Sequence, residues 1–359
     1  MSAEFRNPPW HHEQLFGSLS DVEDIGWGKR LTNLPEAWKR SRGAGVKVAV
    51  LDTGCQLDHP DLKDQILGAK DFSGSAYGPS DQQGHGTHCA GIIAAANDEH
   101  GAVGVAPDIG KSIAPNFTDY TKKRKYVERG GLYIAKVLGD NGFGSHDKIA
   151  RGINWAVDQG VDIVSMSLGG GGRSRVMTEA INNAIEKGIF VICAAGNDGK
   201  SRSVNYPAAL AETIAVAAVG ESSVVADYSS RGPEVDIAAP GSKILSTFVN
   251  SSYAHLSGTS MATPFVAGVA ALILSKHKAS GGGSPVETQE QLREHVKRHA
   301  IDIGAEGYDE ETGAGLINPV DMLIKTVPPD GKIDLERLAD ILSEALGIIE
   351  GTPDGQSKS

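Results

Sequence analysis

Five short apolar runs, separated by amphipathic patterns, constrain the fold more than any other feature of this sequence. The runs cover residues 46–51, 132–138, 161–168, 189–195 and 213–219. At 147–159 and 176–187 the apolar residues recur three or four positions apart, which is typical of amphipathic helices. Apolar strands that alternate with helices in units of about 30 residues indicate a parallel sheet covered on both sides. We therefore predict an α/β fold with a mostly parallel central sheet and helices on both faces, in three layers.

A helical pattern of a second kind covers residues 260–276 and is apolar on nearly every side. Such a helix belongs in the centre of the molecule, where all of its faces are buried. Proline is tolerated only in the first turn of a helix, so Pro264 predicts that this helix begins near Ser260. Residues 1–44 are polar, and we expect them to be irregular.

Size, composition and charge exclude several classes of protein. The chain has 359 residues, of which 40% are hydrophobic and 22% charged, so it is an ordinary globular sequence. Its net charge of −11 disfavours a nucleic-acid partner, and no apolar stretch approaches the ~18 residues of a membrane span. Three cysteines are a low and odd number, which argues against a disulfide framework. The N-terminus lacks a signal-peptide pattern. We expect a cytoplasmic protein without nucleic-acid or membrane partners.

Reactive side chains stand at the ends of three predicted core elements. Asp52 follows the first apolar run, His85 opens a small-residue pattern, and Ser260 opens the buried helix. A serine hydroxyl is a weak nucleophile until an imidazole takes its proton, and the imidazole needs a carboxylate to fix its tautomer. Asn197 follows another apolar run, where its amide and the Ser260 N–H are placed to stabilise an oxyanion. These residue types predict nucleophilic catalysis by serine.

Five segments together resemble the subtilisin-like serine proteases, the subtilases. They are Val-Ala-Val-Leu-Asp-Thr-Gly at 48–54, Gly-His-Gly-Thr-His at 84–88, Ser-Leu-Gly-Gly at 167–170, Ala-Ala-Gly-Asn at 194–197 and Gly-Thr-Ser-Met-Ala-Thr-Pro at 258–264. The resemblance covers residues 22–320, which we assign to a catalytic domain between extensions at 1–21 and 321–359. The second extension contains an amphipathic pattern at 334–349 that predicts a helix.

The resemblance implies a serine endopeptidase that forms an acyl-enzyme on Ser260. In it, Asp52 orients His85, His85 acts as general base and acid, and Asn197 donates to the oxyanion. Two edges would clamp an extended protein or peptide substrate by strand addition: Gly142, Phe143 and Gly144 on one side, and Ser167, Leu168 and Gly169 on the other. The specificity pocket would lie between the second edge and Ala194, Ala195 and Gly196. Such small walls leave room, which favours a broad and mostly apolar preference.

The resemblance also implies one bound calcium ion. Its ligands would be the carbonyls of Ala96, His100 and Ala102 and the side chains of Asp61, Asp98 and Glu23. Oxygen donors of this kind suit the hard Ca²⁺ ion, whereas the alternative is a polar turn with a solvated pair of acids.

The lack of a large preceding pro-domain and the acidic charge make the chain most similar to an intracellular subtilisin. The alternative is a secreted enzyme whose signal and pro-segment lie outside this sequence. The interpretation also allows a homodimer. The segment Asn7-Pro8-Pro9-Trp10 predicts that residues 1–20 cross the site near Ser260 and inhibit it, since proline removes a backbone donor and fixes φ. A free terminal tail is the alternative.

Four rival functions use the same residues. An aspartic protease would need a second Asp-Thr-Gly or Asp-Ser-Gly beside Asp52, and the sequence has none. An α/β-hydrolase elbow at Ser260 conflicts with the order of the triad, because that fold places the acid and the histidine after the serine. His85, His88 and Cys89 are possible zinc ligands without an evident fourth. A catalytically dead binding module would have lost a triad residue, and all three are present.

Overall fold

The computed structural model describes residues 4–6, 11–16, 24–113, 129–201, 203–280 and 286–324. Within these ranges the strands are β1 (Glu4–Arg6), β2 (His11–Phe16), β3 (Lys47–Asp52), β4 (Ile66–Asp71), β5 (Gly131–Lys136), β6 (Phe143–Ser145), β7 (Ile163–Met166), β8 (Phe190–Ala194), β9 (Ile214–Val219), β10 (Val235–Pro240), β11 (Ile244–Phe248) and β12 (Ser252–Ser257). The helices are α1 (Gly26–Leu31), α2 (Leu34–Trp38), α3 (His85–Ala94), α4 (His146–Asp158), α5 (Arg175–Glu186), α6 (Thr259–Ser280), α7 (Gln289–Arg298) and α8 (Pro319–Ile324).

Seven strands form a central sheet in the order β10-β9-β8-β7-β3-β5-β4, and every neighbouring pair is parallel. The five predicted strands are all in this sheet. Side chains of successive residues in β3 point to opposite faces, as the period of a strand requires. Val48 and Val50 pack with α3 and α6, whereas Ala49 and Leu51 pack with α4 and α5. The three-layer α/β fold is therefore confirmed.

Helix α6 is the central helix that the sequence predicts. It begins at Thr259, one residue before Ser260, and Pro264 lies near its start. All residues from Thr259 to Ser275 are buried. By length and composition α6 is the one helix of the described chain that is long and apolar enough to cross a membrane, but it lies inside the protein core.

The first 44 residues contain more regular structure than the sequence predicts. Strands β1 and β2 and helices α1 and α2 all lie in this region. Strand β1 pairs with β6, and β2 pairs with β12, which also pairs with β11 in an antiparallel sheet. These strands are short and mostly polar, so their sequence contains no apolar run that would predict a strand. Their partners lie more than 100 residues away along the chain. Strands β4 and β10 were also not predicted.

The C-terminal boundary of the catalytic unit lies later than residue 321. Helix α8 spans Pro319–Ile324, and its Met322 and Leu323 side chains are buried in the main core. The described residues up to Ile324 form one compact unit. The helix predicted at 334–349 lies outside the described residues.

Candidate active site

Asp52 and His85 meet at the end of the central sheet. Asp52 is the last residue of β3 and His85 the first of α3, and both are buried. The Nδ1 atom of His85 lies 2.8 Å from Oδ1 of Asp52, which also accepts the N–H of Thr53 at 2.7 Å. Burial alone would lower the pKa of the His85 imidazole, but the Asp52 carboxylate outweighs it and raises this pKa well above its ordinary value. The pair therefore stabilises a proton taken up by the imidazole.

Ser260 reaches the same site from the start of α6. Its Oγ lies 3.4 Å from the carbonyl oxygen of Ser167, whose own hydroxyl donates to the Ser260 carbonyl at 2.8 Å. Cys89, one turn beyond His85 in α3, places its Sγ 3.4 Å from the Ser260 carbonyl and 3.8 Å from His85 Nδ1. The fold thus brings the three predicted catalytic residues together at the junction of β3, α3 and α6.

Asn197 lies beside the start of α6 with a fixed amide orientation. Its Oδ1 accepts the Thr259 N–H at 2.9 Å and the Thr259 hydroxyl at 2.8 Å. A backbone N–H can only donate, so the oxygen end of the amide must face Thr259. The Nδ2 end of the amide, which can only donate, lies on the other side, next to Gly258. This is the arrangement that an oxyanion donor needs.

Asp81 is a buried residue of the site that sequence analysis missed. Its carboxylate accepts the Thr53 hydroxyl at 3.0 Å, the N–H groups of Gln83 and Gly84 at 2.9 Å, and the N–H and hydroxyl of Thr87 at 2.9 and 2.7 Å. It thereby connects the turn after Asp52 to the start of the His85 helix. Its place four residues before His85 is the only sequence signal for this role.

Lys136 is a second buried residue that was not predicted. It ends β5, and its Nζ donates to the carbonyls of Thr53 and Ser80 and pairs with Asp140 at 2.8 Å. Asp140 lies in the turn that leads into β6. This lysine therefore joins the turn after Asp52 to one of the two predicted substrate edges.

Strand β1 occupies the space between the two predicted substrate edges. On one side it pairs antiparallel with β6, with Phe5 opposite Gly144 and Arg6 opposite Phe143. On the other side Arg6 exchanges two hydrogen bonds with Gly169, at 3.2 and 3.1 Å. An extended peptide bound by strand addition makes this same pattern of main-chain bonds.

The other predicted edge and wall residues contribute backbone or turns around the space that β1 occupies. Gly142 has a φ of 79° and forms the turn before β6. The side chains of Leu168, Ala194 and Ala195 are fully buried in the core, so these residues contribute mainly their backbone. Gly196 has a φ of 114°, a conformation that favours glycine, at the bend between β8 and Asn197.

The predicted calcium loop folds around Asp61. The Asp61 carboxylate is buried and accepts the Tyr253 hydroxyl at 2.9 Å and the Ala102 N–H at 3.2 Å, while the Asp61 carbonyl accepts the N–H of Ala96. Burial, with Asp98 nearby, raises the pKa of Asp61 to about 6. His59 does not neutralise it, because its Nδ1 accepts the Asp61 N–H and burial lowers its own pKa.

A buried carboxylate with an acidic neighbour and only neutral donors fits a hard cation. Asp98 and His100 lie at the exposed tip of the loop, where the Asp98 carbonyl faces His100 Nδ1 at 2.9 Å. Glu23 lies outside the described residues.

The geometry also bears on the rival functions. The Nε2 atom of His88 lies 3.0 Å from the carbonyls of both Ile244 and Ala254, so this nitrogen is directed at the backbone rather than at a zinc site shared with His85 and Cys89, the rival considered above. Asp52, His85 and Cys89 do lie together, with His85 Nδ1 placed 2.8 Å from Asp52 Oδ1 and 3.8 Å from Cys89 Sγ. The strand before Ser260 belongs to the antiparallel sheet, unlike the strand of a hydrolase elbow.

A parallel sheet that brings an aspartate, a histidine and a helix-start serine together in this way defines a subtilisin-like serine protease. The subtilase family model matches residues 43–315, so the chain belongs to the subtilase family. It is 42% identical over 291 residues to the major intracellular serine protease of Bacillus subtilis, covering 78% of this chain and 83% of that protein. It is 38% identical over 340 residues to an intracellular serine protease of Paenibacillus polymyxa, covering 92% and 95%. Subtilisin Savinase of Lederbergia lenta is 39% identical over 298 residues, covering 83% of this chain and 98% of that protein.

The protein is a serine endopeptidase, a hydrolase whose substrates are proteins or peptides.

Proposed function

We propose that this protease cleaves peptide bonds through an acyl-enzyme on Ser260, and the buried Asp52–His85 pair carries the proposal. The Ser260 oxygen attacks the carbonyl carbon while His85 takes the hydroxyl proton. His85 then gives that proton to the leaving amine, and water releases the acyl group by the same steps. Asp52 holds the Nδ1–H of His85 and stabilises the imidazolium. Asn197 and the Ser260 N–H donate to the oxyanion.

Covalent labelling tests this assignment. Phenylmethylsulfonyl fluoride should abolish casein hydrolysis, and mass mapping should place the sulfonyl group on Ser260. Ser260→Ala should remove both the activity and the label while the circular dichroism spectrum is kept. Residual activity above about one thousandth of the wild type in Ser260→Ala would contradict the proposal, since a triad acts as a unit.

We further propose that calcium binds at the loop around Asp61 and stabilises the fold. Asp61, Asp98 and the carbonyls of Ala96, His100 and Ala102 would hold the ion, with Glu23 as the remaining candidate. The raised pKa of the Asp61 carboxyl supports this, because a bound cation would remove the penalty of its charge. The loop also accepts the Asp24 N–H through the carbonyl of Gly101, so it holds the start of the catalytic unit.

Thermal unfolding with and without calcium tests the site. At a calcium concentration 100 times the Kd, the ion should add about 2.7 kcal/mol. This corresponds to a Tm rise of about 4 °C for a chain of this size. Asp61→Asn should remove most of the rise, whereas the exposed Glu221→Gln should keep it. If the Tm of protein shown to be metal-free did not change on addition of calcium or of a chelator, the proposal would be contradicted.

Residues 1–20 act, in our proposal, as an inhibitory segment that is removed on activation. Two observations support it. Strand β1 lies between the substrate edges, and the His85 and Ser260 side chains are 0% exposed, so a substrate reaches them only after part of the protein moves. Residues 7–10, which sequence analysis placed across the site, lie outside the described residues. They connect Arg6, on Gly169, to His11, which pairs with Ser257 three positions before Ser260.

Progress curves of freshly made enzyme test the inhibition. Deleting residues 2–20 should raise the initial rate and abolish any lag. Arg6→Pro should weaken inhibition because it removes the N–H that Gly169 accepts, whereas Arg6→Ala keeps that N–H and should behave as wild type. If full-length protein, verified intact by mass, is as active as the deletion variant, the segment is only a terminal tail.

We place the enzyme in the cytoplasm. Its acidic charge, its three free buried cysteines and its similarity to proteases named intracellular support this compartment. Fractionation of the producing cells tests it, since a secreted enzyme would be found in the medium. A homodimer is part of the same hypothesis, and sedimentation velocity of the Ser260→Ala protein distinguishes a dimer from a monomer.

A further inference from the structure

Lys136 carries one of the largest fully buried side chains of the described structure, and the proposed chemistry does not use it. Burying an ammonium group is costly unless protein acceptors replace its water. Its Nζ donates to the carbonyls of Thr53 and Ser80 and lies 2.8 Å from Oδ1 of Asp140. An ammonium group has three N–H donors, so these three oxygens satisfy it. Each oxygen belongs to a different loop, and the three loops lead to different parts of the active site.

The segment that begins at Lys136 holds the catalytic carboxylate residue. Lys136 lies opposite Asp52 in the parallel pairing of β5 with β3. Directly after it, the N–H groups of Val137 and Leu138 donate to the Asp52 carbonyl at 3.0 and 3.1 Å. The Lys136 ammonium donates to the Thr53 carbonyl, and the Thr53 N–H in turn donates to the Asp52 carboxylate at 2.7 Å. Main chain and side chain of this segment therefore act together on the position of Asp52.

The same segment supports the predicted substrate edge β6. Gly144 in β6 lies so close to it that a Cβ on this glycine would be 2.5 Å from the Val137 carbonyl oxygen. In the turn before β6, the Gly139 N–H donates to the Phe143 carbonyl at 2.8 Å. This bond closes the turn around Asp140, which is the partner of the buried ammonium group. A shift of Asp140 would therefore be passed on to β6.

Polar bonds to the Asp140 carboxylate hold this turn in place. Burial would raise the pKa of Asp140, but hydrogen bonds from Lys136 and Ser75 outweigh it and lower this pKa below its ordinary value. The Ser75 hydroxyl lies 2.9 and 3.1 Å from the two carboxylate oxygens. An open cavity of about 510 Å³ lies behind the turn, and its lining includes Ser73, Asp140 and Lys148. Because that side of the turn faces open space, the ion pair carries more of its support than it would in a packed core.

We propose that Lys136 is a positioning residue that fixes the substrate edge β6 relative to the Asp52–His85 pair. One ammonium group binds the turn after Asp52 and, through Asp140, the turn before β6, so the two turns keep a constant separation. A peptide paired with β6 is then presented at a fixed distance from the catalytic residues. An error of about 1 Å in such a distance can cost about 10²-fold in rate. This inference rests on the proposed acyl-enzyme at Ser260.

Asp140→Asn, which removes the negative charge of the ion pair, tests the link to the substrate edge. With a five-residue peptide p-nitroanilide, long enough to pair with β6, KM should rise about fivefold at nearly constant kcat, the size expected for a partly exposed ion pair. N-acetyl-tyrosine ethyl ester is too short to reach β6, so its kcat and KM should keep their wild-type values. The control Asp147→Asn removes an exposed acid from the first turn of α4 and should change neither substrate. Equal changes with peptide and ester, or no change with either, would overturn the inference.

Lys136→Met, which removes the ammonium group, tests both links at once. Its kcat per active site should fall about 10- to 100-fold with peptide and ester alike, because the turn after Asp52 loses its support. Its KM for the peptide should rise as in Asp140→Asn, and the double variant should show no further rise, since both changes break the same pair. A kcat per site within about threefold of the wild type would show that Lys136 only stabilises the fold. If Lys136→Met does not fold, the comparison of peptide and ester in Asp140→Asn decides the inference.

Active-site titration with a fluorophosphonate comes first and counts the sites in each protein. If the wild type is not titrated at Ser260, the acyl-enzyme proposal fails. If every variant is titrated and their constants match those of the wild type, the acyl-enzyme stands and the positioning role of Lys136 is wrong.

Discussion

Helix α3 carries His85 and His88 three residues apart on adjoining sides: the side that meets Asp52 is called here the reactive face, and the side that meets β11 and β12 the structural face. These surroundings give the two histidines opposite properties. Burial alone would lower the pKa of both rings. On the reactive face, the Asp52 carboxylate outweighs burial and raises the pKa of His85. On the structural face, His88 meets the carbonyls of Ile244 and Ala254, which offset burial only in part, so the pKa of His88 falls to about 3. The neighbours, rather than the residue type, decide which histidine exchanges protons.

The structural face is held closely against β11. The hydroxyls of Ser246 and Thr247, both in β11, donate to the carbonyls of His88 and Thr87 at 2.8 Å. A Cβ on Gly91 would collide with the same two hydroxyls. The reactive face instead meets Asp52 and, through Cys89, the Ser260 backbone. The contacts of the structural face fix the position of α3 along its axis and its rotation. They thereby fix where His85 lies relative to Asp52.

Replacing His85 should have the largest effect in this comparison. His85→Gln should reduce kcat about 10⁶-fold, the size measured when the triad of subtilisin, to which this chain is similar, is disabled. The Tm should change little, because the structural face is untouched. Steady-state kinetics and calorimetry check the two halves of this prediction. If His85→Gln lowered the Tm strongly as well as kcat, His85 would also stabilise the fold, and the predicted difference between the two faces would be contradicted.

Replacing His88 should affect stability rather than chemistry. In the native state His88 stays neutral down to about pH 3, whereas the unfolded ring binds a proton below pH 6.5. Its contribution is therefore fully present above pH 6.5 and is lost as the pH falls toward 3, by up to about 5 kcal/mol.

The His88→Asn variant in a Ser260→Ala background should be less stable at pH 7 than the background protein. Its unfolding free energy should also fall less steeply between pH 6.5 and 4. Urea titrations at several pH values measure this slope. Parallel curves for the two proteins would show that His88 is not the group responsible.

Asn197, which lies beside the start of α6, allows a separate test of the proposed oxyanion donor. Asn197→Ala should lower kcat about 10²- to 10³-fold with little change in KM, which is the loss measured for the oxyanion donor of subtilisin. Asn197→Asp keeps the oxygen that Thr259 uses but lacks the donor. Recovery of activity in Asn197→Asp would mean that the residue acts only by holding Thr259.

Cys89 should give the smallest effect, although it lies beside two of the predicted catalytic residues, His85 and Ser260. Burial raises the pKa of its thiol, and the neighbouring imidazole offsets this only in part. Since the thiolate is the reactive form, iodoacetamide should leave Cys89 unmodified in native protein at pH 8. Peptide mapping after timed exposure checks this. Rapid alkylation of Cys89 would show that the reactive face activates a second nucleophile.

The sequence predicts those features that repeat locally or match a motif. The spacing of Ile149 and Ile153 predicts α4, and the apolar run before Asp52 predicts β3, because burial imposes a period on each element. Strands β1 and β2 could not be predicted, since both are short and mostly polar and lack an apolar run like that of β3. The roles of Asp81 and Lys136 arise from hydrogen bonds and ion pairs that join separate loops, which the apolar pattern of the sequence does not predict.

Strand β1 differs from any free substrate in being covalently attached to the enzyme that it contacts. A tethered ligand acts at an effective concentration that is typically millimolar for a short flexible connection. Diluting the enzyme therefore leaves its occupancy unchanged. A single cut between β1 and the catalytic unit turns the same strand into a free peptide, present only at the concentration of the enzyme. For micromolar enzyme that is a drop of about 10³-fold in local concentration. Breaking one peptide bond would thus act as a one-way switch without altering any contact in the cleft.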